Sequence, residues 1–318
     1  MNELKQYLHV ERKIEKDLEK LIKSAYESKK QQLILVCGNV GDGKSHVLSK
    51  LNEQIANKFS IHNDATESFN PKESFSSTLD ELLQNFSARK LGQYNDKIIV
   101  AINLGTLNNF LDSHGEKYPE LKAYVEKKGI LVSDNIQDNK FDNNSCFQFV
   151  NFSDYQIYEL GNNGVDSEVI SALFEKVFSS SGKNPIYEAF NTFKSSSTNL
   201  NNPIFYNYEF LSDDKNRSLV VQLIIQAIIK SKQIISITSL LTFIHDLVMP
   251  IGGSESFGSK KAYSPEEYCK AIIPNKIFDH PELSLLFKVL SHEDPCLIHS
   301  EKVDDSIVLV INLSLIHI

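Results

Sequence analysis

Apolar residues recur at helical intervals from the start of the chain. Leu4, Leu8, Ile14, Leu18, Leu21, Ile22 and Ala25 are separated by charged residues, which predicts one amphipathic helix over 3–27. Residues Leu33 to Cys37 instead form a short unbroken apolar run ending at a glycine, the pattern of a strand buried on both faces. Val47, Leu48, Leu51 and Ile55 return to helical spacing, so a helix starts near Lys44. Further on, the pattern predicts strands over 58–63 and 97–103 and helices over 77–87 and 119–128. A polar loop rich in Asn and Asp follows at 133–145. "CFQFVNFSDYQIYEL" then reads as a strand, and "DSEVISALFEKVFSS" as a helix with Val169, Leu173, Phe174 and Val177 on one face. Strands alternating with helices imply a parallel sheet in three layers. From about 185 the pattern is helical, in "NPIYEAFNTF", "RSLVVQLIIQAIIKSK" and "SITSLLTFIHDLV", while "PIGGSESFGSKKAYSP" (250–265) reads as a flexible loop.

Between the first buried strand and its helix lies G-x-x-x-x-G-K-S, with Gly38, Gly43, Lys44 and Ser45 at the constrained positions. Glycines let a backbone curl so that successive N–H groups face an anion, and a helix N-terminus adds partial positive charge. In such a cradle Lys44 reaches the β- and γ-phosphates and the Ser45 hydroxyl holds Mg²⁺. The expected binding residues are Gly38, Asn39, Val40, Gly41, Asp42, Gly43, Lys44, Ser45 and His46, although His46 also reads as a helix-surface residue. The competing reading is a glycine-rich turn that holds nothing; the strand before it and the helix after it favour the cradle. The fold class expected is α/β: a three-layer P-loop NTPase sheet followed by a mainly helical lid. Its parts are an N-terminal helix (1–30), a nucleotide-binding domain (31–184), a lid or second domain (185–312) and a short tail (313–318).

Hydrolysis needs more than a cradle. NTPases of this class end another core strand in an Asp that holds Mg²⁺, often with a Glu to polarise water. Here the strand in that place, "IIVAINLG", ends in Asn103, and no strand ends in an Asp-Glu pair. Asp64 and Glu67 in "SIHNDATE" are the alternative catalytic carboxylates beside Lys44, against the plainer reading of a polar loop with an Asx-turn. Asn103 and Asn151, each at a strand end, are candidates to sense the γ-phosphate; either is also an ordinary strand terminus. His62 beside its strand reads as structural or solvated.

Composition narrows the classes. The 318-residue chain carries a formal charge of −8, which argues against a general coat for DNA, and its three arginines are Arg12, Arg89 and Arg217. So few arginines limit the candidates for an arginine finger. The four cysteines are scattered without C-x-x-C spacing, so no metal site or disulfide framework is expected. The charged start is no signal peptide, and "LVVQLIIQAII" is too short to cross a bilayer, so a cytoplasmic chain with no membrane partner is expected. The final "LSLIHI" (313–318) is the translation of CTGTCTCTTATACACATC, an end sequence of transposase-made libraries. That predicts a natural chain cut near Asn312, with a genuine short strand as the alternative.

The blocks "GNVGDGKSH", "HNDATESFNP", "AINLGTLNNFL" and "NFSDYQIYEL" resemble AAA+-type ATPases. More specifically, they resemble the DptF family of DNA phosphorothioation-dependent restriction proteins. These blocks span residues 38 to 160, and "LLTFIHDLVMP" and "HEDPCLIHSEKVDD" carry a weaker likeness to about 305. The resemblance implies an ATP site at Gly38 to His46, with ATP and Mg²⁺ as cofactors. It also implies DptG- and DptH-like partner subunits, and restriction of DNA that lacks the sulfur-for-oxygen backbone modification. No catalytic base is carried over. Thr238 and Ser239 stand where a lid arginine would help sense nucleotide, which weakens the case for an autonomous motor. DNA is expected to be touched mainly through the partners, because the lysines are dispersed. A nucleotide-binding scaffold without turnover remains the alternative. A small-molecule kinase is disfavoured, because no arginine-rich lid is present to clamp a transferring phosphoryl group.

Overall fold

The computed structural model describes residues 3–55, 57–63, 75–131, 139–161, 164–180, 183–197, 201–250 and 263–294. They fall into two compact units. One is Glu11–Gln156; the other joins Glu3–Val10 to the described residues from Ile157 onward. The α/β part therefore closes at Gln156, ahead of the expected boundary at 184, because the following helix buries its apolar face in the helical unit's core.

The helix expected over 3–27 is broken in two, α1 (Glu3–Tyr7) and α2 (Lys13–Glu27). Leu8 and Val10 pack against the core of the helical unit, whereas Ile14, Leu18, Leu21, Ile22 and Ala25 pack in the α/β unit. Between them the chain is extended at Arg12 (φ −111°, ψ 157°), and Glu15 accepts the Arg12 N–H at 3.3 Å. A carboxylate three residues into the helix thus satisfies a donor that the helix start would leave open.

In the α/β unit the order continues β1 (Gln32–Cys37), α3 (Lys44–Ile55), β2 (Ser60–His62), α4 (Phe75–Leu83), β3 (Lys97–Ile102), α5 (Leu104–His114), α6 (Pro119–Lys128) and β4 (Phe147–Asn151). The four strands form one parallel sheet in the order β2-β3-β1-β4. Alternate side chains of β1 go to opposite layers. Leu33, Leu35 and Cys37 join α4, α5 and α6 through Leu79, Leu83, Leu107, Phe110, Leu111, Leu121 and Val125. Ile34 and Val36 join α2 and α3 through Leu18, Ile22, Val47, Leu48 and Leu51. This is a sheet with helices on both faces, and each such side chain contributes about 1.5–3 kcal/mol on burial.

Two further elements differ from the sequence pattern. Helix α5 stands where no helix was expected: Gly105 and paired asparagines lower its propensity, and an N-cap starts it instead. The long strand expected over "CFQFVNFSDYQIYEL" is only β4, followed by a 3₁₀ turn (Phe152–Asp154) and, in the other unit, β5 (Glu159–Gly161).

The helical unit pairs β5 with β6 (Gly164–Asp166) and packs α7 (Glu168–Phe178), α8 (Pro185–Ser196), α9 (Pro203–Ser212), α10 (Asp214–Ser231) and α11 (Ile237–Val248) around one core with α13 (Ile273–Asp279) and α14 (Leu285–Ser291), while α12 (Pro265–Ala271) packs against α13. Two buried polar groups tie it together. Asn207 donates to the carbonyl oxygens of Ala271 (2.9 Å) and Val248 (3.3 Å) and accepts the Ile273 N–H (2.9 Å). Lys276 donates to the carbonyl oxygens of Asp246 and Met249, closing the end of α11. Most of the loop expected at 250–265, part of that at 133–145 and the tail at 313–318 lie outside the described residues. Among the described residues no helix is long and apolar enough to cross a membrane.

Candidate functional site

Residue Cys37 of β1 lies opposite Ile102 of β3 and Asn151 of β4, so three strands end level and the loops that follow share one edge of the sheet. β1 is followed by a helix on one face, while β3 is followed by α5 on the other. Open parallel sheets bind ligands at the carboxyl ends of strands where the connections diverge in this way. The glycine loop, residues 38–43, sits there and runs directly into α3.

Two glycines are required by geometry. Gly38 has φ +149°, and a Cβ placed on it would stand 2.8 Å from Phe152 Cβ and 2.9 Å from Asp42 Oδ2. Gly43 has φ +86°, and a Cβ there would stand 3.2 Å from Arg12 Nη2. Inside the loop Lys44 Nζ donates to the carbonyl oxygens of Gly38 (2.8 Å) and Asn39 (2.6 Å). The ammonium is therefore folded back over the loop, at the N-terminus of α3, where the helix adds positive potential.

The buried carboxylate of Asp42 accepts the Asn39 N–H at 2.6 Å and the Ser153 hydroxyl at 3.4 Å. Burial pushes its pKa up, opposed by the Asn39 bond, Lys44, Ser153 and Arg12. Beneath the loop, burial raises the Cys37 thiol far above its ordinary pKa, so this cysteine is a neutral packing group. Val40 is exposed at the tip.

No protein-family model, curated protein or solved structure matches the chain. What the loop does is therefore read from its own geometry.

Ser45 is exposed on the first turn of α3, and its hydroxyl makes a long bond of 3.4 Å to the carbonyl oxygen of Asn63, just past β2. Asn63 Nδ2 donates in return to Ser45 O (3.3 Å) and Ser49 Oγ (3.1 Å), holding the start of α3 against β2. His46, half-buried, follows on the same turn. Asn103 lies past β3, where its side chain accepts the Thr106 N–H at 2.7 Å and caps α5. Asn151 accepts the Ser153 N–H (3.2 Å) and donates to Asp154 Oδ1 (2.8 Å), shaping the turn after β4. His62 contacts Ser60 across 3.1 Å, and burial lowers its pKa. Asp64 and Glu67 lie outside the described residues. Among the described residues no group of three His, Cys, Asp or Glu side chains is arranged to hold a metal ion.

Arg12, Asn63, Ser153 and Asp154 also lie around the loop, and the sequence pattern did not single them out. Ser153 bridges the tips of β1 and β4, taking Asn39 Nδ2 at 3.2 Å and reaching Asp42. Arg12 comes from the start of α2 and donates to the Asp42 carbonyl oxygen at 2.9 Å. "NFSD" after a buried strand hinted at Ser153 and Asp154. Arg12 is distant in sequence and carried no signal beyond the rarity of arginine.

Proposed function

We propose that Gly38–Ser45 binds the phosphates of ATP, and that the chain is the ATP-binding, ATP-hydrolysing subunit of a DNA restriction complex. The observation that carries the binding reading is the Lys44 ammonium held over a glycine loop at the N-terminus of a helix. An incoming phosphate would take the ammonium from the two carbonyl oxygens and meet the free end of the helix dipole, with the glycines admitting it close to the backbone. The exposed Ser45 hydroxyl, which has only a long bond to surrender, would supply one ligand to Mg²⁺. Bound there with ATP, the ion would neutralise charge on the phosphate oxygens.

The restriction role rests on the likeness of the four sequence blocks to the DptF family. That likeness implies DptG- and DptH-like partner subunits and action on DNA without phosphorothioate linkages. DNA is reached through those partners, and a gel shift by the isolated chain at moderate salt would contradict this.

A second reading is a nucleotide-controlled scaffold that does not turn over. Asn103 favours it, because an asparagine at the tip of β3 supplies no carboxylate to Mg²⁺ and its amide oxygen is already taken by the Thr106 N–H. One assay tests the nucleotide binding that both readings share, and a second separates them. The parent chain should bind ATP–Mg²⁺ and Lys44→Ala should lose it; equal affinity in both removes the nucleotide reading. Phosphate release with partners and unmodified DNA present, lost in Asp64→Asn or Glu67→Gln, would reject the scaffold.

A further inference from the structure

We propose that Arg12 is a positioning residue for this site: it locks the Asp42–Gly43 peptide so that the Gly43 N–H faces into the loop. The inference rests on the nucleotide reading above and assigns a role to a residue outside the loop. A trans peptide is planar, with its carbonyl and N–H on opposite sides. Arg12 Nη1 donates to the Asp42 carbonyl oxygen at 2.9 Å, which turns the Gly43 N–H of the same peptide away from the guanidinium. The next carbonyl, Gly43 O, is already fixed by the Val47 N–H at 3.1 Å. The Asp42–Gly43 peptide is thus the last one before α3 that could still rotate, and glycine at φ +86° does not resist that rotation.

Arg12 is itself held on several sides. Its Nε lies 3.5 Å from Glu15 Oε1, and its Cζ stands 5.2 Å from the centre of the Phe152 ring. Glu15, fully buried, is in turn 3.7 Å from Lys50 Nζ on α3. Nη2 lies beside Gly43, 3.2 Å from where a Cβ would stand, so a side chain there would crowd the guanidinium. The fork thereby joins α2, the loop and the tip of β4. A donor aimed in advance at an anion needs no reorganisation when the anion arrives, and this raises affinity.

The chain contains a single Asp-Gly sequence, Asp42–Gly43. Labelling aspartate carbonyl carbon with ¹³C and glycine nitrogen with ¹⁵N therefore gives one cross-peak, which reports this peptide alone. In the parent the peak should move on adding ATP–Mg²⁺. In Arg12→Ala it should already be displaced or broadened without nucleotide, and ATP affinity should fall at least tenfold at an equal folded fraction. Arg12→Lys, which keeps the charge but not the planar fork, should recover only part of the affinity; it carries the same measurements if Arg12→Ala does not fold.

A folded Arg12→Ala with an unmoved peak and affinity within twofold of the parent overturns the inference and leaves the nucleotide reading standing. A folded parent that does not respond to ATP overturns both.

Discussion

Replacing Gly38 with alanine tests whether the tips of β1 and β4 meet as closely as described. The new Cβ would stand 2.8 Å from Phe152 Cβ. Carbon atoms rest at about 3.5–4.0 Å, so it would intrude by roughly 0.7 Å even at the lower limit. Asp42 Oδ2, at 2.9 Å, closes a second side and is tied to the Asn39 N–H, so it cannot swing away without losing that bond. Crowding of this kind costs about 1–3 kcal/mol. The φ of +149° adds about 1–3 kcal/mol for a residue with a side chain. The total, about 2–6 kcal/mol, is a large part of the roughly 5–15 kcal/mol that holds a domain folded.

Gly92 in the same unit is the control. Its φ is +79°, but a Cβ there meets nothing within 4 Å, so Gly92→Ala should cost only the backbone share, about 1–2 kcal/mol. Urea unfolding followed by circular dichroism gives both values, and the comparison holds if the slope m is unchanged. Gly38→Ala should lose at least about 1 kcal/mol more than Gly92→Ala. A loss no greater than that of Gly92→Ala would show that Phe152 and Asp42 yield freely, and the close approach of β4 to the loop would be wrong.

Other predictions concern polar groups with fixed partners. Burial lowers the pKa of Lys276 from 10.5 to about 8. Between those values the unfolded chain binds the proton and the folded one does not, so stability rises with pH across about 8 to 10.5 and the penalty is full below 8. Parent stability measured against Lys276→Met should climb over that window; a constant difference would refute the shift. Asn103→Ala should cost about 1 kcal/mol through loss of the α5 cap, while Asn103→Asp, also a good cap, should stay within about 0.5 kcal/mol of the parent by thermal unfolding.

The alternation of elements in the α/β part was legible because strands buried on both faces are continuous apolar runs and helices show spaced ones. β1, α3 and α6 fall where their patterns place them. Helix α5 was not legible, since its start depends on one Asn103 side chain meeting one N–H rather than on a stripe. The break before α2 was hidden for a different reason. Leu8 and Ile14 continue a single helical stripe, yet they serve two cores, and only a folded chain shows which residue belongs to which. Within the site, the glycines and Lys44 announced themselves by spacing. Arg12, Asn63 and Ser153 did not, because each reaches the loop or its helix from another element.

Local chemistry alone determined the strand, the glycine loop and the helix behind it, since backbone freedom, apolar periodicity and the lysine's place are all set between Leu33 and Ile55. Sheet order, the level ends of β1, β3 and β4, and the hold of Arg12 on the Asp42 carbonyl oxygen were decided only by tertiary packing. Contacts between residues thirty or more than a hundred positions apart depend on which apolar faces find each other, and a sequence pattern records the faces without recording their partners.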